Sequence, residues 1–410
     1  MRVLIFAYAC DPGRQSEKGL GWNVSCEIAR RHDVTLVTRT KNKVVFEKYL
    51  SEHPKCPHRK TRFLYHDVGG VAAFLKKKIP FGDQLYFSAW LKSATEKYLI
   101  NGDREHGGYD VVHQLTFSPF FVKPWGARYS DKYVWGPIGG GGGTDARFPQ
   151  GFPVVGVSFR CMEWLYKVIS RAVYFPFAFE FKQLRRRCAA IIFKAKAFSK
   201  DFPIAEGQVT AVTQETGYDG SIASREYIAT KHPLKIVAVG RMIPHKGFEY
   251  AIKGFNQFVA NGGEGELHLF GDGPLRKRLE GLGGKLIFHG NVPNAEVHKM
   301  LGCADVFLHG SFIEAAAWSI LEAMIHGVPV VCQDRSGMAD MVTAETGTKV
   351  EAEDPNELIN GFAQTLMKYY ANPGLIAFHG KGAQERVRTH YTWSKCGDLI
   401  DEVYRKVMAK

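Results

Sequence analysis

Glu314 and Glu322 stand in the stretch SFIEAAAWSILEAMIHGVPVV (311–331) with seven mostly apolar residues between them. Segments turned toward a core rarely carry an unpaired carboxylate. Either Glu314 caps a helix and Glu322 lies in solvent, or something binds there. Ionised carboxylates only accept hydrogen bonds, which suits them to pairs of hydroxyls such as those of a sugar or a ribose. A loop residue, Glu314, and a residue about two turns into the following helix, Glu322, can face one cleft. The helix start between them, Ala316, Ala317, Trp318, Ser319 and Ile320, would offer backbone N–H groups to phosphates.

Upstream, VAVGRMIPHKG (237–247) sets Gly240 and Arg241 just past a strand and Lys246 at the start of the next helix. Two cations converging there suit an anion, and a diphosphate is the natural one; the alternative is that both are solvated surface groups. GDGP (271–274), with Gly271 and Asp272, is a turn where backbone can approach a ligand closely. HGNVP (289–293) ends another strand, and backbone groups around Val292 could read the edge of a base.

The elements that must position these residues are legible as alternating apolar strands and amphipathic helices. RVLIFAY (2–8), DVTLVTR (33–39), TRFLYH (61–66), DVVHQ (110–114), KYVWG (132–136) and AAIIF (189–193) read as strands. Helical patterns at 21–32 and 84–100 lie between them. The alternation restarts after Pro233 with LKIVAVG (234–240), KGFEYAIKGFNQFVA (246–260), GELHLFGDG (265–273), KLIFHG (285–290), ADVFLHG (304–310) and GVPVVC (327–332). Two Rossmann-like α/β domains joined near 215–233 are expected, at 1–220 and 221–391, with a final helix in 392–410 packing back on the first. The length of 410 residues suits two domains of roughly 200 each.

Composition narrows the classes further. A hydrophobic content of 45% with 23% charged residues belongs to a folded chain. No apolar run approaches the ~18 residues of a membrane span, and the N-terminal MRVLIFAYAC reads as a first strand rather than a signal peptide. A cytoplasmic location is therefore expected. The eight cysteines form no C-x-x-C pair and no zinc-spaced cluster, so no structural metal is expected. Residues 1–200 carry 33 Lys and Arg against 16 Asp and Glu, whereas 201–410 carry 21 against 25. A basic face therefore belongs to the first half.

The ordered set VAVGRMIPHKGFEYAI, LFGDGP, FHGNVP and E-x7-E followed by AMIHGVPVV resembles the retaining glycosyltransferases of family 4 across the whole second domain. The resemblance implies the GT-B fold, two Rossmann-like domains facing across a cleft. It also implies that Arg241 and Lys246 hold the donor diphosphate, Glu322 the ribose hydroxyls and Glu314 the hydroxyls of the transferred sugar. Where the family has Gly after the first Glu, this sequence has Ala315, followed by Trp318 three positions on, which narrows the expected sugar pocket.

The first half is similar to one branch of the same family. In ACDPGRQSEKGLGWNVSCEIARRHDVTLVTR (9–39), Gly19 and Gly21 would lead into a helix and let backbone approach phosphate. GLG is not G-x-G-x-x-G, which weakens a dehydrogenase reading. His113, at the end of strand YDVVHQLTF, and the glycine run with Gly139, Gly140 and Gly141 match the branch too. The resemblance sets the histidine beside the reacting sugar and the glycines in a loop on the acceptor side, although a strand-end histidine alone is more often structural. Residues 151–200 combine ten Lys/Arg with two acids and eleven aromatics, and FLKKKIPF (74–81) repeats that chemistry. Such a face suits an anionic membrane surface or is a solvated face over a packed stripe; no nucleic-acid recognition motif accompanies it.

The expected protein is thus a retaining, metal-independent hexosyltransferase with no cofactor. It would take a UDP- or GDP-sugar as donor and a carbohydrate or lipid-linked saccharide as acceptor, with peripheral attachment to the inner face of a membrane as a further expectation. Two other readings stay open: a nucleotide-sugar epimerase on the same fold, and a non-catalytic protein that binds nucleotide sugars or anionic surfaces.

Overall fold

The structure, a computed structural model, describes the chain apart from residues 15, 77–81, 102–107, 121, 140–177, 201, 214, 223, 229 and 231. It separates into two compact units. The described part of the first comprises residues 1–139 and 178–215 together with Trp393–Lys410, and the second is Thr216–Thr392.

In unit 1 the strands are β1 (Arg2–Phe6), β2 (Asp33–Thr38), β3 (Arg62–Tyr65), β4 (Val111–Gln114), β5 (Tyr133–Ile138), β6 (Ala190–Phe193) and β7 (Val209–Val212). They form one sheet in the order β3-β2-β1-β4-β5-β6-β7. Every pairing is parallel, with Val3 opposite Val34 on one side of β1 and Val111 on the other. A parallel sheet is covered on both faces, and so the central strands are buried without alternation: β4, β5 and β6 are buried at each position, His113 and Gln114 of β4 included. The short edge strand β7, with the sequence VTAV and three of four residues at least partly exposed, lacks that signature and was not expected.

Helix Ser16–Arg31 follows β1 and is buried along Leu20, Trp22, Val24 and Ile28. Helix Trp393–Met408 packs on it. Arg31 Nη2 donates to Asp398 Oδ1 at 2.7 Å, and His32 Nε2 lies 3.0 Å from Asp401 Oδ1. The residues after 392 therefore complete unit 1 and not the unit that precedes them in the chain.

Unit 2 repeats the plan with β8 (Leu234–Val239), β9 (Gly265–Phe270), β10 (Leu286–Gly290), β11 (Val306–His309), β12 (Val330–Gln333) and β13 (Gly347–Val350), in the order β10-β9-β8-β11-β12-β13, again all parallel. Helix Phe248–Ala260 buries Phe248, Ala251, Ile252, Phe255 and Phe258, the spacing of one helical face. It packs on helix Pro355–Ala371, which starts at Asp354. The Asp354 carboxylate accepts from the N–H groups of Asn356 (2.7 Å) and Glu357 (3.0 Å), and Pro355 takes the first helical position, where no N–H is needed.

One close approach fixes where helix Ser16–Arg31 sits. A Cβ on Gly21 would lie 2.0 Å from the Ala9 carbonyl oxygen and 2.9 Å from Thr116 Cγ2, so the helix rests on the backbone that leaves β1. Gly21→Ala is expected to cost about 1–3 kcal/mol of stability through overpacking. Gly13→Ala, where an added Cβ meets nothing nearer than Asp11 Oδ1 at 3.9 Å, should leave stability unchanged or raise it by up to about 1 kcal/mol. Denaturant unfolding of both variants measures the difference, and equal stabilities would contradict the packing described.

Candidate functional site

In an open parallel sheet the strand order reverses at one point, and a crevice forms there beyond the carboxyl ends of the strands. In unit 2 that point lies between β8 and β11. The loop leaving β8 passes through Arg241, which is exposed, and makes a single turn, Pro244–Lys246, before helix Phe248–Ala260. The loop leaving β11 is tied to it. The Phe312 N–H and Ser311 Oγ both donate to the His245 carbonyl, at 2.9 and 3.0 Å. Between the two loops sits Gly247, with φ +60°, where an added Cβ would lie 1.9 Å from the Gly310 carbonyl oxygen. Only glycine fits so tight a junction.

This junction brings Lys246 and Glu314 into direct contact. Lys246 Nζ donates to Glu314 Oε1, Ser311 Oγ donates to the same oxygen at 3.0 Å, and His309 Nε2 stands 3.6 Å away, at ion-pair rather than hydrogen-bond range. Among the described residues all these contacts fall on Oε1. The Glu314 backbone is held as well: its carbonyl accepts from Ser336 Oγ (2.6 Å) and the Gly337 N–H (2.8 Å). Burial raises the Glu314 pKa, but His309 and Lys246 outweigh it and bring the carboxyl down to about 2.

Glu322 occupies a separate environment. The helix that carries it is Trp318–Ile325, so Glu322 lies little more than one turn from its start rather than two. Its side chain is buried; Asn294 Nδ2 donates to Oε1 at 3.2 Å, and His298 Nε2 is 3.8 Å from the same atom. Both partners sit on helix Asn294–Leu301, directly after Val292 and Pro293. The two glutamates are thus held by different elements, Glu314 by the β8 and β11 loops and Glu322 by the segment after β10.

The remaining expected donor residues line the same sheet edge with most of their backbone engaged. The Gly240 N–H donates to the Phe270 carbonyl (3.0 Å) and the Gly271 N–H to Gly290 (2.8 Å). The Asp272 carbonyl accepts from Met242, and its side chain closes its own turn on the Gly273 N–H. Ala317 is the first flanking residue of helix Trp318–Ile325 and gives it no side-chain cap. Ala316, Trp318 and Ser319 are half-buried, while Ile320 is buried in the core and its N–H donates to the Ala317 carbonyl. Val292 packs partly against that core.

Unit 1 corrects several expectations. His113 is fully buried in β4, with Nε2 donating to the Gly136 carbonyl at 2.7 Å and Nδ1 accepting from Tyr404 Oη at 2.6 Å. Burial lowers its pKa to about 4, so the ring is a neutral pin between the sheet and helix Trp393–Met408, with neither nitrogen left for a substrate. Gly19 and Gly21 lie inside the first turns of helix Ser16–Arg31, not ahead of it, and press on the chain's own carbonyls at Arg14 and Ala9. Gly139 bridges to Pro119 at the end of β5; Gly140 and Gly141 lie outside the described residues. Of the basic cluster, Arg186 and Arg187 are exposed, but Arg185 is folded over the Phe202 ring. Most of 151–200 and 74–81 that carried the membrane expectation, residues 151–177 and 77–81, lies outside the described residues.

Sequence reasoning missed Ser311, His309, Asn294, His298 and Ser336 as partners of the two glutamates. His309 ends β11 and Asn294 opens a helix, both strand-end or helix-start positions where such a search would look. Among the described residues no group of three metal-ligating side chains occurs, and no helix is long and apolar enough to cross a membrane.

Residues 233–368, which contain every group around Glu314 and Glu322, match the sequence profile of the glycosyl transferases group 1. Unit 2 carries a glycosyl transferases group 1 domain. The chain is 26% identical over 178 residues to 2-deoxystreptamine glucosyltransferase of Streptomyces kanamyceticus, a match covering 42% of this chain and 45% of that one. The chain spans about half the length of the curated relatives it matches. In fold it is similar to sucrose-phosphate synthase of Thermosynechococcus elongatus (TM-score 0.62, 18% identity, 100% of this chain and 99% of that one). It is likewise similar to HepE of Anabaena in complex with UDP and glucose (TM-score 0.54, 15% identity, 99% of each chain). The fold is the GT-B fold, and the group 1 domain is its second unit.

The charge at Glu314 has a pH signature. A carboxyl held at about 2 against an ordinary 4.5 contributes stability that is fully present above the ordinary value and is lost as pH falls through the lower one. Glu314→Gln is therefore expected to be less stable than the unaltered protein near neutral pH, and the gap should narrow as pH is taken from 4.5 toward 2. Denaturant unfolding at stepped pH reads this, and a gap that stays constant would remove the ion pair as its source.

Proposed function

We propose that the protein is a glycosyltransferase that moves a hexose from a UDP- or GDP-sugar to a saccharide or lipid-linked saccharide acceptor in glycan or glycolipid synthesis. The observation that carries this reading is the half-buried Lys246–Glu314 pair at the strand-order reversal of the group 1 domain, with Glu322 held independently beyond β10. Arg241, Lys246 and the start of helix Trp318–Ile325 would take the donor diphosphate. Glu322 would take the ribose hydroxyls, and Glu314, through Oε2, the hydroxyls of the sugar. A structural relative bound to UDP and glucose supports a nucleotide-sugar donor.

The chemistry asked of these groups is stabilisation of a leaving diphosphate by charges already in position. Retention at the anomeric carbon would follow if the leaving phosphate itself draws the proton from the incoming hydroxyl on the same face, which requires no protein nucleophile. No metal is assigned to that step, because the cationic work is given to Arg241, Lys246 and the helix start. Docking of the exposed Arg186 and Arg187 on an anionic membrane belongs to the same proposal.

The assignment is tested by separating nucleotide from sugar. Lys246→Ala and Arg241→Ala are each expected to weaken UDP or GDP binding about tenfold or more, as loss of a charge-assisted contact does. Glu322→Gln should weaken nucleotide and nucleotide sugar together. Glu314→Gln frees Lys246 from its partner, so it should keep or improve nucleoside diphosphate affinity while abolishing transfer. If Glu314→Gln and Glu322→Gln depress UDP affinity equally, the division of roles is wrong.

Metal independence has its own test. Transfer measured in a strong chelator should match transfer without it, and a loss reversed by one divalent ion would refute the cation assignment.

A further inference from the structure

Unit 1 has its own strand-order reversal, between β1 and β4, and a cavity of about 320 Å³ opens at it. Its walls come from the segments leaving β1 (Tyr8), β2 (Arg39, Lys41, Asn42) and β4 (Phe117), and from Lys18 in the first turn of helix Ser16–Arg31. A larger groove of about 550 Å³ lies beside Met1 and Asp33, at the amino ends of β1 and β2, where an α/β sheet does not present ligand loops.

Basic groups outnumber acids around the smaller cavity. Arg39, Lys18 and Lys41 line it together with Asp11 and Asp83, and Lys76 stands just behind, its Nζ donating to Tyr8 Oη at 2.9 Å. The acids nearby are already committed. Asp11 accepts from the Gly13 N–H and lies 4.0 Å from Arg14, Asp67 lies 3.7 Å from Arg39 Nε, and Asp83 lies 3.7 Å from Lys76. Among the described residues the Lys18 and Lys41 ammonium groups have no ion-pair or hydrogen-bond partner, and the buried Arg39 Nε has no hydrogen-bond partner. Burial, then Arg39 and Lys18, depress the Lys41 pKa, while Asp11 and Asp67 oppose them.

Two of the cations are held in place by aromatic packing. The Arg39 guanidinium lies 4.8 Å from the Tyr8 ring centre, and Lys76 Nζ lies 4.2 Å from that of Tyr86. Arg39 and Lys76 each have a carboxylate nearby, whereas Lys18 and Lys41 stand at the ligand end of the parallel sheet with no ion pair among the described residues, open to an anion that enters. Phe117, half-buried at the cavity, adds apolar surface on which a sugar ring packs.

We propose that this cavity is the subsite for the anionic group, a phosphate or a carboxylate, of the saccharide acceptor. The proposal rests on the glycosyltransferase reading for the word acceptor, whereas the oxyanion site stands on the unit 1 geometry alone.

The test uses the full-length chain carrying Lys246→Ala, which removes a principal cation of unit 2. Glucose 6-phosphate, glucuronate and glucose are titrated into it by calorimetry, and then into the same protein with Lys18→Gln and Lys41→Gln. Either anionic sugar should bind more tightly than glucose, and the tighter of the two names the oxyanion. The double substitution should weaken that binding about tenfold or more, while Lys18→Arg with Lys41→Arg retains it and shows that the cavity is still formed. Equal binding of all three sugars, no binding of any, or anion affinity that survives the double Gln substitution overturns the proposal. UDP titrated into protein without the Lys246 change reports on the donor reading separately. A protein that binds UDP but no anionic sugar keeps that reading and loses this one.

Discussion

Every strand in both sheets runs parallel to its neighbours, and the placement of all the chemistry-bearing residues depends on that constraint. A parallel strand can be followed by another only after a crossover, usually a helix, has carried the chain back. All carboxyl ends of a sheet therefore gather at one edge, and the helices that follow begin there. Segments far apart in sequence, such as 241–247 and 309–314, meet at that edge because β8 and β11 are adjacent across the strand-order reversal. The same rule, applied independently in unit 1, brings together the ends of β1, β2 and β4.

Within unit 2 the edge is narrowed until a lysine and a glutamate touch. Removing two charges from water is expensive, and a buried pair is offset only when further hydrogen bonds satisfy it. The Glu314 carboxylate has one from Ser311, while Ser336 and Gly337 bind its main-chain carbonyl and fix where the side chain starts. The tie between the β8 and β11 loops at His245 and Gly247 keeps the two charges aligned. Such a pair is a poor source of stability compared with an apolar isostere, which makes a binding role the better physical account of its retention.

The strands and the order of the motifs were legible in the sequence because buried parallel strands are continuous apolar runs. What escaped had physical causes. Edge strands β7 and β13, VTAV and GTKV, are short and partly exposed, so they carry no apolar signature. His113 looked available because it stands at a strand end, but only the fold reveals that Tyr404, 291 positions away, closes on it. Glu314 and Glu322 were visible as out-of-place acids, whereas their partners were not: two serines, an asparagine and two histidines are unremarkable in a linear reading. The cations Lys18, Arg39 and Lys41 were part of a recognised basic half, yet their convergence depends on sheet order, which spacing does not encode.

The helix Trp393–Met408 has a consequence for the order in which the protein can be made. Unit 1 is interrupted after Glu215 and resumes at Trp393, with the whole of unit 2 between. Until that helix has been synthesised, His113 lacks its Tyr404 partner, and the flank of helix Ser16–Arg31 that carries Glu27 and Arg31 is bare. Domains tend to fold as units as they emerge, usually the N-terminal one first. Here the contiguous second unit can close while the first still waits for its final wall. A nascent chain stalled before residue 393 would present a finished second unit attached to a first unit whose sheet is complete but still lacks its last helix, the reverse of the usual sequence of events on the ribosome.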